Sequence, residues 1–406
     1  MKRFSLSIVL LPTILVASCV VHQPDLFPDN KFVYVAVENV VEDDDLLIWD
    51  VPPLEKAVID TVPAEREDGL VVGKLGVDGG DKDMIVKLAQ EIADGQHGNY
   101  DSLLIVHKSK LLFESYYLLG RVNLTHPQVS ATKAYTALAL GRAIQLGYLT
   151  MADLDKPLAS FLKDLDPNKF VEGVERITLH KALTMRGGLR VSEATLEEFQ
   201  ENPNKLKGQG EVQVHFEKSE PITEGSQNFL YGNFNPELVM QVIEAVVPGT
   251  SEEFIKSELL GKMGITTYSW QAGVSGLPFG GWRSSITSRD MVKLGSLVTN
   301  KGKWNGEQLI PEAFVAKATS RILQTGDDDV FGGGKDVSNQ GYGYFWWSAD
   351  LKYDNKSYFS ASAQGGGGQF IILIDKLDLM VVTTAHMSEV MTLQMVAERI
   401  LPAFTQ

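Results

Sequence analysis

The strand-like segments of this 406-residue chain lie at its two ends. Ser102–His107 and Leu111–Leu118 are apolar runs suited to a pleated surface, and Lys108, Ser109 and Lys110 between them predict a hairpin turn. Ser357–Ala363, Gln369–Leu373 and Leu379–Ala385 read as three further strands near the C-terminus. Helical spacing and loops fill the long middle. A chain organised in this way builds one sheet from both ends and covers its faces with helices. Met84, Ile85, Leu88, Ile92 and Ala93 recur at helical spacing and predict a first flanking helix, with a last one over Glu389–Ile400. Ala131–Leu146 is strongly helical and is stopped by Gly147.

A hydrophobic content of 44% can fill a large core. The net charge of −15, from 37 basic against 52 acidic residues, repels phosphate backbones and argues against a nucleic-acid partner. The seven histidines are scattered, with no pair at metal-ligand spacing, so neither a metal nor an organic cofactor is expected. Beyond the first 20 positions no run of about 20 apolar residues predicts a membrane span. Ordered-domain signals begin near Met84. The stretch before it is rich in charges and turn residues, including Glu42–Asp45, Pro52-Pro53 and Asp78–Asp83, although Lys31–Val41 alternates like a strand.

At the N-terminus Lys2 and Arg3 precede an apolar run from Phe4 to Val16, followed by Ala17, Ser18 and Cys19. This is the pattern of an export signal. Val16-Ala17-Ser18-Cys19 resembles the bacterial lipoprotein lipobox, whose cysteine is lipidated and becomes the mature N-terminus. Cys19 is the single cysteine of the chain, so no internal disulfide can form. The expected organisation is a lipoprotein signal over 1–18, a tether and lead-in over 19–83, and a folded domain over 84–406. The lipid on Cys19 would attach the exported protein to a bacterial membrane, at the outer membrane or its periplasmic face.

A serine hydroxyl becomes a useful nucleophile only beside a base, with donors to hold the oxyanion it creates. Ser-x-x-Lys at the head of a helix supplies both groups on one face. The motif occurs twice, as Ser130–Lys133 and Ser160–Lys163. Ser130 opens the apolar helix that contains Ala134, Ala137, Leu138 and Ile144, so Lys133 should be buried beneath it, whereas Lys163 reads as a solvated charge. Taken alone, Ser130 could equally be a helix N-cap. Tyr231-Gly232-Asn233 adds a phenol that can relay a proton and an amide that can orient a carbonyl. Its second copy, Tyr353-Asp354-Asn355, reads as a turn before a strand. His180 and His386 are the candidate bases for a rival Ser-His-Asp arrangement, but no Gly-x-Ser-x-Gly elbow accompanies them.

Taken together, these residues resemble the serine β-lactamase and penicillin-recognising superfamily, in its class C, esterase and D-aminopeptidase branch. Ser130-Ala131-Thr132-Lys133 is similar to the first motif of that branch. Ile177–Thr184 with Gly187-Gly188-Leu189, Phe229–Asn233, and Gly280–Ser285 with Arg289-Asp290-Met291 resemble its later segments in order. Gly341–Trp347 and Gly365–Gln369 are most similar to 6-aminohexanoate-dimer hydrolase and carboxylesterase members. The resemblance spans roughly 84–402.

It implies an α/β fold of β-lactamase/transpeptidase type: a five-stranded antiparallel sheet with a mainly helical region inserted between its second and third strands. Ser130 would form an acyl-enzyme on a small ester or amide, with Lys133 and Tyr231 moving the proton. Asn233, Gln364, Gly365, Gly366 and Trp346 would bind substrate. The family's third motif carries Lys-Thr-Gly or His-x-Gly, and here Ala363-Gln364-Gly365 stands in its place. The missing cation weakens a β-lactamase or D-aminopeptidase reading, because such a cation assists binding of a substrate carboxylate. A non-catalytic envelope-binding module of the same fold is the remaining alternative. Oligomeric state leaves no mark in the sequence.

Overall fold

The computed structural model describes residues 47–326 and 330–405. The signal-like segment and Cys19 lie outside the described residues, as does Lys31–Val41. Among the described residues, fourteen strands form three sheets. The main sheet contains β1 (Val58–Asp60), β2 (Tyr100–His107), β3 (Lys110–Tyr116), β9 (Leu323–Gly326), β10 (Val337–Tyr342), β11 (Trp347–Tyr353), β12 (Lys356–Gly365), β13 (Gln369–Ile374) and β14 (Leu379–Ala385). A small sheet joins β4 (His126–Pro127), β5 (Tyr268–Trp270) and β6 (Ser284–Ile286), and β7 (Lys303–Trp304) pairs with β8 (Glu307–Gln308).

The main sheet runs β1-β3-β2-β14-β13-β12-β11-β10-β9 and is antiparallel throughout. The five expected strands form the contiguous run β3-β2-β14-β13-β12, paired from both chain ends. Nine strands replace the expected five because both edges are extended. Val58–Asp60, from the stretch read as lead-in, pairs with β3, and residues 323–353 add three more strands beyond β12. The β2–β3 hairpin turns through Lys108 and Ser109, both at positive φ (50° and 62°), the geometry a two-residue turn requires. Asp354 and Asn355 do the same between β11 and β12, so the second Tyr-x-Asn copy is a turn.

Each face of the sheet carries its own core. On one lies the helix Thr132–Gln145, whose residues from Thr132 to Ile144 are all buried, together with Phe234–Val246 and Ser288–Thr299. On the other lie Lys82–Ala93 and the C-terminal helical turns from Thr392 to Phe404. Each large aliphatic side chain fully buried in these layers contributes roughly 1.5–3 kcal/mol. Buried Arg289 ties the lead-in to the domain, donating to Asp68 at 2.6 Å and to Glu114 at 2.7 Å.

Candidate active site

The nucleophile segment begins with a strained residue. Val129 has φ = 49°, a conformation that β-branched side chains avoid and that persists only where the surroundings enforce it. Ser130 follows in a short 3-10 turn, and the α-helix starts at Thr132. The N-cap position is Ala131, and no side chain caps the helix. The Ser130 hydroxyl is therefore not spent on capping and faces Lys133.

Lys133 is only 1% exposed and has three partners. Its Nζ lies 3.1 Å from Ser130 Oγ, 2.8 Å from Asn233 Oδ1 and 2.9 Å from the Gly281 carbonyl oxygen. Burial brings its pKa down to about 7, against a smaller upward pull from the Glu237 carboxylate. Glu237 is itself pushed up to about 7 by burial, although its Oε1 accepts the Gly280 N–H at 3.0 Å. Asn233 immediately precedes the helix Phe234–Val246, which places its side chain beside the head of the nucleophile helix.

Tyr231 lies over the same amine, with Lys133 Nζ 4.9 Å from its ring centroid. Burial raises the phenol pKa, and hydrogen bonding to Ser130 and to Trp347 acts in the opposite direction. The ring sits 5.1 Å from Trp347, which Tyr342 and Phe229 also enclose. The hydroxyl, the amine, the phenol and the Asn233 amide therefore converge, although the last two are about a hundred residues distant in sequence.

The third strand of the site is β12. Its pairing with β11 ends at Trp347–Ser362, while pairing with β13 continues to Gly365–Gln369, so Ala363–Gly365 have a β-partner on one side only. Gly365 packs against the nucleophile turn. A Cβ there would overlap the Gln128 carbonyl oxygen and come within 3.2 Å of the Ala131 nitrogen. Only glycine allows this approach. Gly366 begins the turn to β13, 3.7 Å from Val129 Cγ1 at its own ideal Cβ position.

Two expected binding residues stand differently. Trp346 is 1% exposed and belongs to the core, so it does not line the cleft, and its neighbour Trp347 is the tryptophan that reaches Tyr231. Phe345, at φ = 60°, turns the backbone just before the pair, and two adjacent tryptophans cannot be told apart by residue type. Gln364 is buried and donates to Ser362 Oγ at 2.8 Å. Sequence reasoning missed the Gly281 carbonyl and Glu237. A main-chain acceptor leaves no trace in residue type, and a glutamate on a helix reads as a surface charge. The histidines lie elsewhere: His180 Nδ1 is 2.9 Å from Tyr344 Oη, and His386 bonds to Asp101. Ser160 is exposed and donates to the Pro157 carbonyl.

A serine–lysine pair at the head of a buried helix, flanked by a phenol and the open edge of an antiparallel sheet, defines a serine hydrolase of β-lactamase/transpeptidase type. The chain belongs to the beta-lactamase family, whose model matches residues 87–396. Among solved structures it is similar to a Bacteroides dorei DSM 17855 protein assigned as a beta-lactamase (TM-score 0.62, 15% identity, 80% of this chain and 100% of that one). It is also similar to a Bacillus anthracis protein assigned as a 6-aminohexanoate-dimer hydrolase (0.55, 15%, 86% and 89%) and to a class C beta-lactamase (0.57, 14%, 79% and 96%). No curated protein matches the sequence.

Proposed function

We propose that the protein cleaves small esters or amides through an acyl-enzyme on Ser130, with Lys133 as the base. The observation that carries this reading is the partner set of Lys133. A neutral amine has two N–H donors and one lone pair. Asn233 Oδ1 and the Gly281 carbonyl can only accept, so they take the two donors. The lone pair is left facing Ser130, the one partner able to donate to it.

The steps balance without outside help. As the Ser130 Oγ–carbon bond forms, its proton passes to Lys133. As the bond to the leaving group breaks, Tyr231 gives that group its phenolic proton. Water then attacks the acyl carbon and returns a proton to the Tyr231 phenolate, while Lys133 reprotonates Ser130. The Ser130 N–H, with an N–H from the open β12 edge, would hold the oxyanion.

Position 363 is alanine, so the third strand offers no cation for a substrate carboxylate. This favours esters and amides without one over β-lactams. Intact-mass labelling with a fluorophosphonate tests the reading: one adduct is expected, and none on Ser130→Ala. A folded protein that stays unlabelled would sink it and leave the non-catalytic envelope module. Fast nitrocefin hydrolysis beside inert p-nitrophenyl esters would move the assignment to a β-lactamase. The lipobox-like segment supports export and anchoring through Cys19. Incorporation of palmitate that survives Cys19→Ser would refute the anchoring.

A further inference from the structure

Gln128 is fully buried between the end of β4 and the nucleophile turn, and each of its polar atoms has a partner. Its main-chain N–H donates to the Ser284 carbonyl at 2.8 Å, and its carbonyl accepts from the Ala131 N–H at 3.0 Å. The side chain reaches both ways along the sequence. Nε2 donates to the His126 carbonyl at 2.9 Å, and Oε1 accepts from the Tyr135 hydroxyl at 2.6 Å. A main-chain carbonyl can only accept, so the amide nitrogen must be the end that faces His126. The amide oxygen then faces Tyr135, and the phenol donates.

These two bonds straddle the strained residue. His126 precedes Val129, whereas Tyr135 follows it, buried on the helix that Ser130 introduces. The φ of 49° at Val129 is sterically costly for a β-branched side chain and lasts only where neighbouring groups enforce it. An isopropyl group makes no hydrogen bond, so the enforcement comes from outside the residue. Turning φ back to the negative side would rotate the Ser130 N–H and hydroxyl relative to β4. It would also move Gln128 relative to the helix and stretch the bond to Tyr135. An apolar side chain at 128 could fill the same space, but it would offer no such resistance.

We propose that Gln128 is a positioning residue: its amide ties the His126 carbonyl to the Tyr135 hydroxyl across the Val129 turn and so keeps the Ser130 hydroxyl aimed at Lys133. The inference rests on the proposed acyl-enzyme reading and adds to it the device that aims the nucleophile. Gly365 bears on the same place, since a Cβ there would overlap the Gln128 carbonyl oxygen. The amide clamp and the close strand end therefore hold the turn from two sides.

Fluorophosphonate labelling of the wild-type protein comes first, and its absence would defeat the acyl-enzyme reading itself. Gln128→Met keeps the volume and loses the amide. It should still be labelled to completion at Ser130, but more slowly, on the order of 10–100-fold, the scale of a small misplacement of reacting groups. Glycine takes positive φ at no steric cost, so adding Val129→Gly to Gln128→Met should recover much of the lost rate. A merely structural role predicts the opposite, because that second change removes further packing. Labelling of Gln128→Met within about threefold of wild type would overturn the proposal, as would a double variant no faster than the single one. Should Gln128→Met fail to fold, Tyr135→Phe decides, since it keeps the ring and breaks one of the two bonds. Slower labelling to full occupancy is expected, and the wild-type rate would overturn the proposal.

Discussion

Lys133 and Glu237 occupy opposite ends of one short piece of main chain. Gly280 donates its N–H to Glu237 at 3.0 Å, and the next residue, Gly281, accepts from Lys133 at 2.9 Å. The carboxyl and the amine thus flank one main-chain segment, and the charge of each bears on the other. Glu237 pulls the lysine upward while burial brings it to about 7.

This coupling sets a pH dependence. Lys133 is a base only when neutral, so Ser130 acylation should rise with pH through about 7 and level off above it. Glu237→Gln removes the negative charge that favours the ammonium, so the rising limb should move to lower pH. Lys133→Ala should cost on the order of 10²–10⁴-fold in acylation rate above a pH of about 7, with a deficit that shrinks at lower pH, where the wild-type amine is itself protonated. Stopped-flow measurement of fluorophosphonate labelling from about pH 5 to about pH 9 reads both effects. A limb that stays in place in Glu237→Gln would show that the two groups are not linked.

The approach of β12 to the nucleophile turn gives a second prediction. Gly365→Ala would push the strand end away from Gln128 and Ala131, separating two N–H groups that must converge on one oxyanion. The expected loss in kcat is on the order of 10²-fold, the usual worth of one such donor. Gly366→Ala, whose added Cβ meets nothing closer than 3.7 Å, should stay within a few-fold of wild type. Comparable losses in both variants would remove the oxyanion role from this edge.

Asp101 yields a prediction about stability. It is fully buried on β2, its Oδ2 accepts from His126 at 2.9 Å and from His386 at 2.8 Å, and its Oδ1 accepts the Leu119 N–H at 3.0 Å. Burial alone would raise its pKa, but the two imidazoles outweigh this and hold it below the usual 3.8. A carboxylate with a depressed pKa stabilises the fold fully above its unfolded value and loses that contribution as pH falls through the folded value. Asp101→Ala should cost about 3–5 kcal/mol at neutral pH, with a deficit that shrinks as the pH falls through the depressed folded-state value. Urea denaturation at neutral pH and at successively more acid pH checks it, and a deficit that does not shrink would contradict the charge argument.

Much of this was readable in the sequence because it is local. Ser130 and Lys133 are one helical turn apart, so their contact follows from the helix itself. The five central strands carried apolar runs and clear turns, notably Lys108–Lys110 and Asp354-Asn355. Tyr231 and Asn233 were identified by residue type and by likeness, since nothing in the spacing brings a loop a hundred residues away to the head of that helix. The outer strands were lost for physical reasons. β1 has three residues, and β10 is irregular between Ser338 and Gly341, which breaks the alternation a strand would show. Gly281 and Glu237 became visible only once Phe234–Val246 and the 280–285 loop were seen beside the nucleophile.

The order of strands in the main sheet has a consequence for biosynthesis. β14 separates β2, near the start of the domain, from β13, so it is the staple joining the early and late halves of the molecule. A nascent polypeptide releases Leu379–Ala385 after every other strand of this sheet. Until then β2 has no partner on that flank, Gly365 has no settled strand on which to approach the turn at Ser130, and the cleft stays unassembled. Any protein shortened before Ala385 should therefore be not a weaker hydrolase but an incomplete sheet with a long unpaired edge.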